Sequence, residues 1–317
     1  MQAITYATFG GSDVLELSDV PDPSAQPGEV LLKVEYAGVN PLDWKIREGF
    51  MKDVMPYEFP IIPGCDAAGT VVSAGEGARR FSPGTRVFCY TKGAVIHSGT
   101  YAQYVAVPEE VLAVVPDALD LAAAASVPVA ALTAWQSLHD FAGLQAGETV
   151  LVLAGAGGVG SLAIQLARHA GATVLATASA ANHDYLTDLG AHHCIDYRSV
   201  DVPGAVRALV PGGCEVVLDC AGGEAYADGV ACLADGGRIP TIVSPPDMDA
   251  AQRGGYRTEF IHSQPNGEQL EAIAALMAAG VIRAPHLDVR SVREAAAAQD
   301  DSRAGHTRGK IVLATDF

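Results

Sequence analysis

Gly155, Gly157 and Gly160 stand at GxGxxG spacing, directly after the apolar run TVLVLA and at the head of the apolar-striped stretch GVGSLAIQLARHAG. Glycine at each place serves a backbone that has to come close to something. The first allows a turn with positive φ, the second lacks the Cβ that would bar a pyrophosphate, and the third lets a helix close on the preceding strand. The residues opening that helix, Gly158 and Val159 among them, add unpaired N–H groups and a partial positive charge, by which even an acidic chain holds a polyanion. The chemistry indicated is dinucleotide binding, the alternative being a βαβ turn that binds nothing. NAD sites usually place an acid about twenty residues beyond the first glycine. Here no acid occurs from Ser161 to His183. Thr177, Ala178 and Ser179 leave room for a 2′-phosphate, with Asn182 and His183 behind them as donors, so NADPH is expected and NADH stays possible; a solvated helix start is the alternative reading of these residues.

The elements that must position such a turn are legible around it. From residue 1 to about 120 the chain is strand-rich and broken by Gly and Pro, as in VLLKVEYAGV and GEGARRFSPGTRVF, which predicts an antiparallel, partly closed β domain. The Ala-rich stretch LAAAASVPVAALTAWQSLHDFAG reads as a helix ending at Gly143. Beyond it strands and helices alternate through TVLVL, TVLATA, HCIDY, EVVLDC and GGRIPTIV, with helices over about 182–189, after Asp201 and over 224–233. That alternation predicts a parallel sheet covered on both faces. Near the end, Asn266 with Gln269 and Ser291 with Glu294 mark helix starts, and GKIVLAT closes the chain as a strand that need not join the second sheet.

Composition narrows the partners. A chain of 317 residues, 49% of them hydrophobic, can bury two cores, and 20 Lys and Arg against 37 Asp and Glu give a formal charge of -17, which repels nucleic acid and anionic lipid surfaces. No run reaches the about 18 apolar residues of a membrane span, and the N-terminus has no secretory pattern, so a cytoplasmic protein is expected. The six cysteines, at 65, 89, 194, 214, 220 and 232, form no CxxC pair and read as free thiols.

Several motifs are spread along the whole chain: GVNPLDWKIREG (38–49), PGCDAAGTV (63–71), GTYAQYVAVP (99–108), SVPVAALTAWQSL (126–138), LAGAGGVGSLAIQLAR (153–168), LGAHHCIDYR (189–198), VLDCAGGE (217–224), PNGEQL (265–270) and GKIVL (309–313). In that order they resemble the medium-chain dehydrogenase/reductase superfamily, and within it the zinc-independent quinone oxidoreductase branch. The resemblance implies an α/β protein in which a GroES-like, partly closed β-barrel catalytic domain (1–122 and 261–317) carries an inserted Rossmann domain with a doubly wound parallel sheet (123–260). It implies NADPH in the cleft between them and a homodimer formed near GGRIPTIV. It places Asn40 beside the nicotinamide, Asp43 orienting the same loop, Thr133 against the nicotinamide end, and Ser244, Phe260 and Lys310 around the cofactor. Tyr197 keeps a tyrosine that NADPH-using relatives have after the third strand, whereas Asn182 stands where they carry Lys, leaving His183 or Arg198 to replace it.

Zinc-dependent relatives use Cys, His and a further Cys or acid. At those positions this chain has Asn40 and Cys65, and 126–145 contains no cysteine. Cys65 with Asp66 is at most a partial site where zinc needs about three protein ligands, so no metal is expected. Without a Lewis acid the acceptor should be one whose π system spreads the charge of an arriving hydride, a quinone or an enone rather than a simple ketone. Asn40, Asp43, Lys45 and Tyr57 are the candidate catalytic residues. Asn40 can donate to an acceptor oxygen, or form an Asx turn with Asp43 around Pro41. Lys45 can balance enolate charge or be a solvated loop residue; Tyr57 and Tyr101 can line the pocket and donate a proton, or simply pack. The alternatives in function are an enone or enoyl reductase of a biosynthetic pathway and a non-catalytic nucleotide-binding protein.

Overall fold

The computed structural model describes residues 1–317 and divides them into two compact units, Met1–Val129 with Gln264–Phe317, and Ala130–Ser263. In the first unit β1 (Gln2–Thr5) pairs antiparallel with β2 (Glu16–Asp19). Then follow β3 (Glu29–Gly38), helix α1 (Pro41–Arg47), β4 (Asp66–Ala74), β5 (Arg86–Tyr90), β6 (Tyr104–Pro108) and β7 (Leu112–Val114). Along β3 buried Val30, Leu32 and Val34 alternate with more accessible neighbours, the period of a strand with one face on a core. Antiparallel β4 lies along one edge of β3, while β6 pairs with Glu29–Lys33.

The Ala-rich stretch is not one helix. It forms α2 (Leu121–Ala125), capped by the Asp120 carboxylate on the Ala123 N–H at 2.7 Å, and α3 (Pro128–Trp135), which runs into a π-helical turn over Gln136–Phe141. Pro128 forces the break: it disfavours helical backbone at Val127 and has no N–H to continue the ladder, and the Ser126 hydroxyl bonds back to Ala123 O at 2.6 Å. Since α2 packs on β3, β4 and β5, the division between units falls after Val129, not at 122.

In the second unit β8 (Thr149–Val152), α4 (Gly158–His169), β9 (Thr173–Ala178), α5 (His183–Asp188), β10 (His193–Asp196), α6 (Val202–Leu209), β11 (Cys214–Leu218), α7 (Glu224–Ala231), β12 (Leu233–Thr241), α8 (Met248–Gly254) and β13 (Arg257–Phe260) follow in turn. The strands make one parallel sheet in the order β10-β9-β8-β11-β12-β13, the doubly wound arrangement anticipated from the alternation. Its central strands are buried on both faces. The seventh helix ends at Ala231, two positions before the expected Leu233, because the Cys232 carbonyl already accepts the Cys214 N–H at 2.8 Å and Leu233 pairs with β11.

The chain then returns to the first unit with α9 (Gly267–Ala278), β14 (Leu287–Ser291), α10 (Ala295–Ala304) and β15 (Lys310–Ala314). The Asn266 side chain caps α9, and Ser291 with Glu294 forms the box before α10. The last strand pairs antiparallel with Tyr36–Gly38 of β3 and parallel with β14, so GKIVLAT belongs to the first unit's sheet.

Candidate functional site

In the second unit the glycine turn joins β8 to α4. The positive φ expected at Gly155 belongs to Ala154 instead, at 55°. Two bonds impose it: Ala154 N–H donates to Thr177 Oγ1 at 3.1 Å and Gly155 N–H to Thr177 O at 2.9 Å. Gly155 is required by packing, because a Cβ there would stand 3.0 Å from Ala176 Cβ and 3.1 Å from Ile164 Cδ1. A Cβ at Gly160 would lie 2.5 Å from Ala154 O and 2.8 Å from Gly155 Cα, which is the close helix-to-turn approach its spacing predicts. Gly157 differs from both. Its Cβ would meet only Ala154 O, at an ordinary 3.5 Å, so the space beside it is open to a ligand. The N–H groups of Gly158, Val159 and Gly160 open a helix of twelve residues and have no partner within it. This cradle fits a diphosphate.

At the end of β9, Thr177 and Ala178 are buried, and the Thr177 hydroxyl braces the turn. Ser179 is more accessible and receives the Asn182 side-chain amide at 3.2 Å. His183 starts α5 with its Nε2 buried and unbonded. Asp196 stands opposite Ala178 in the register of β10 and β9, so Tyr197 and Ser179 lie at neighbouring strand ends. Tyr197 is half exposed, and Arg198 both donates to its hydroxyl at 3.3 Å and stacks 5.6 Å from the ring centroid. Thr133 is buried on α3, Ser244 is exposed after β12, and Phe260 ends β13 edge-on to His262 at 4.4 Å. Sequence reasoning missed Asp219. Fully buried, it accepts from Thr241 Oγ1 at 2.7 Å and from the N–H groups of Ala221 and Gly222, fixing the loop at the carboxyl end of β11, the sheet edge where such folds bind ligands.

The first unit holds a buried polar cluster. Asn40 caps α1, with Pro41 at the first helical position, and its N–H donates to Asp43 Oδ2 at 2.8 Å. Its side chain faces the other way. Nδ2 donates to Asp66 Oδ2 at 2.9 Å and reaches Cys65 Sγ at 3.8 Å, while Oδ1 accepts from Lys310 Nζ at 2.6 Å. Lys310, expected against the cofactor, has all three ammonium hydrogens engaged inside this unit, on Val39 O at 2.8 Å, Asn40 Oδ1 and Asp66 Oδ2 at 3.4 Å. The other Asp66 oxygen accepts the Val129 N–H at 2.8 Å.

Asp43 also accepts the Tyr101 hydroxyl at 2.9 Å and the Cys65 thiol at 3.7 Å. Burial pushes its carboxyl up to about 6, against the opposing pull of the Asn40 and Tyr101 hydrogen bonds. Burial likewise raises Cys65, Asp66 and Tyr101, so the thiol and phenol keep their protons. Tyr101 is therefore a brace for Asp43 and not an accessible proton donor. Lys45 and Tyr57 stand apart from the cluster. The Lys45 ammonium, its pKa lowered by burial, lies 5.7 Å from the Trp44 ring centroid, and Tyr57 packs edge-on against Phe9 and Phe59.

Comparison with known proteins agrees with this geometry in both units. Residues 26–117 match the alcohol dehydrogenase GroES-like domain and residues 189–313 a domain described as zinc-binding dehydrogenase. A chloroplast envelope quinone oxidoreductase homolog of Arabidopsis thaliana is 32% identical over 331 residues, covering 99% of this chain and 98% of that one. The chloroplastic NADPH-dependent alkenal/one oxidoreductase of the same plant is 34% identical, over 99% and 79%. A mycobacterial protein solved in complex with NADPH superposes with a TM-score of 0.88 at 31% identity, over 99% of this chain and 100% of that one. No helix is long and apolar enough to cross a membrane. With a GroES-like sheet carrying the Asn40 cluster and a parallel sheet carrying the glycine turn, the chain belongs to the medium-chain dehydrogenase/reductase superfamily, in its quinone oxidoreductase-like branch, and is an oxidoreductase.

Proposed function

We propose that this protein is an NADPH-dependent reductase that passes hydride to a quinone or another conjugated carbonyl, without zinc. The observation that carries the reading is the open space at Gly157 beside the unpartnered N–H groups of α4, a main-chain cradle for a dinucleotide diphosphate in a chain of net charge -17. When bound, the reduced nicotinamide supplies the hydride. Ser179, Asn182, His183 and Tyr197, with Arg198, form the side-chain set for the 2′-phosphate; Arg198 provides the charge that Asn182 lacks. Thr133, Ser244 and Phe260 complete the cofactor's surroundings. Asn40 and Asp43 hold the loop at the start of α1, and Lys45 and Tyr57 stand on the acceptor side. Orienting donor and acceptor contributes on the order of 7–11 kcal/mol in favourable cases. A homodimer formed through the edge of the parallel sheet near GGRIPTIV, where the edge strand is β13 because GGRIPT lies in the interior strand β12, and a cytoplasmic location complete the proposal.

The test is NADPH oxidation with a quinone and an enone at equal concentration, repeated with NADH and after treatment with EDTA. Turnover of at least one conjugated acceptor, faster with NADPH and unchanged by the chelator, is expected. A large loss with EDTA would remove the zinc-free reading, and NADPH binding without turnover across a broad acceptor panel would leave a nucleotide-binding protein. The relative named for alkenal and enone reduction favours a second reading, a C=C reductase, which a strong preference for the enone would establish.

A further inference from the structure

The antiparallel register of β15 on β3 puts Val312 opposite Gly38, and Val39 N–H bonds to Ile311 O at 3.0 Å. Two residues earlier on β15, Lys310 therefore meets Asn40, 270 positions away in sequence. We propose that the Lys310 ammonium is the resident cation of the Asn40–Asp66 cluster: as a positioning residue it fixes the Asn40 amide, and the cluster so filled does not fit a metal ion. The catalytic consequence rests on the reductase reading above; the choice of cation does not.

The donor set supports an ammonium. Three oxygens, from Val39 O, Asn40 and Asp66, face three N–H donors at 2.8, 2.6 and 3.4 Å. The same set does not fit zinc, although the family model matching 189–313 carries that metal in its description. Zinc takes thiolate, imidazole or carboxylate ligands at about 2.0–2.3 Å. Here the Cys65 thiol directs its hydrogen at Asp43 Oδ1, the Asn40 amide nitrogen has no lone pair to give, and Asp66 already accepts from Asn40, Val129 and Lys310. No group of three or more His, Cys, Asp and Glu side chains is arranged to hold a metal. An ion bound to Asp66 would also stand against the ammonium. With Oδ1 held by Lys310, the Asn40 amide has one orientation, Nδ2 toward Asp66 and Cys65. Without the ammonium the Asn40 Oδ1 loses its donor, and one buried carboxylate loses its only cation.

Two sets of measurements decide the matter. Wild-type protein produced with added zinc is analysed for metal and titrated with cobalt(II); far less than one zinc per chain and no thiolate-to-cobalt charge-transfer band are expected. Stoichiometric zinc, or that band, overturns the proposal, whether or not an acceptor for the enzyme has been found. Lys310→Ala is then assayed with and without propylammonium. A fall in kcat of about 10- to 100-fold with little change in the KM for NADPH is expected, and propylammonium, but not zinc, restores both kcat and the melting temperature. Wild-type kcat in Lys310→Ala, or restoration by zinc, overturns it. Should Lys310→Ala not fold, the wild-type metal measurements and Lys310→Arg decide, the latter expected to keep kcat well above the loss given for Lys310→Ala.

Discussion

Replacing Asp43 by Asn should remove a pH-dependent share of the protein's stability whose size follows from its burial. The carboxyl moves from 3.8 when solvated to about 6 in the fold, chiefly because burial disfavours the anion. A rise of about 2 units at about 1.36 kcal/mol per unit corresponds to roughly 3 kcal/mol between the two limits. The folded value is the higher one, so this contribution is fully present below 3.8 and is lost as pH rises through about 6. Measurement has to stop above the sequence pI of about 4.8, where solubility falls. Urea unfolding from about pH 8 down to about pH 5 collects about 1.4 kcal/mol of the effect. The assay is the difference in unfolding free energy between wild type and Asp43→Asn across that range. Wild type should gain about 1.4 kcal/mol on the variant as pH falls. A flat difference, or wild type losing ground toward acid, would show that the Asn40, Tyr101 and Cys65 hydrogen bonds outweigh desolvation and that the reasoning about this carboxyl is wrong.

Gly157→Val should abolish NADPH binding, read by fluorescence titration, while costing about 1 kcal/mol or less in urea, because the new side chain meets no protein atom closer than 3.5 Å at its Cβ. Gly160→Ala should do the reverse in origin: its Cβ would sit 2.5 Å from Ala154 O, so about 1–3 kcal/mol of stability is lost and affinity falls only as the turn distorts. Arg198→Ala should lower the ratio of NADPH to NADH affinity by about 10-fold, and an unchanged ratio would move the 2′-phosphate contact to His183.

What could be read from the sequence was what repeats locally. Strand and helix periods gave the parallel sheet, and the glycine spacing located the turn, since both depend on neighbours within about thirty residues. The failures lie where distant chain segments decide. Ala154 takes the positive φ because Thr177, on the next strand, clamps the amides on either side. Thr177, expected with Ala178 and Ser179 to leave room for a 2′-phosphate, turns to the Ala154 N–H: a threonine at a strand end gives no sign of which way it turns. The meeting of Lys310 with Asn40 depends on one antiparallel register between the two ends of a unit interrupted by the other, and no local pattern encodes it. The break at Pro128, by contrast, was written in the residue itself, and alanine spacing around it masked the signal.

Electrostatics of the first unit bear on the choice of acceptor. The first unit buries two carboxylates, Asp43 and Asp66, with one ammonium, and burial first, with the Asp66 charge adding to it, pushes Asp43 up to about 6. Every donor of that ammonium is engaged, and the amide it holds is directed at Asp66 and Cys65. Such a centre orients groups but offers no strong electrophile to an oxygen gaining charge. A simple ketone would have to concentrate that charge on one oxygen, whereas a quinone or enone spreads it over its own π system. The acceptor class proposed for this protein is thus tied to how its buried charges are matched, and a variant that freed the ammonium from Asp66 would be the place to look for reduction of unconjugated ketones.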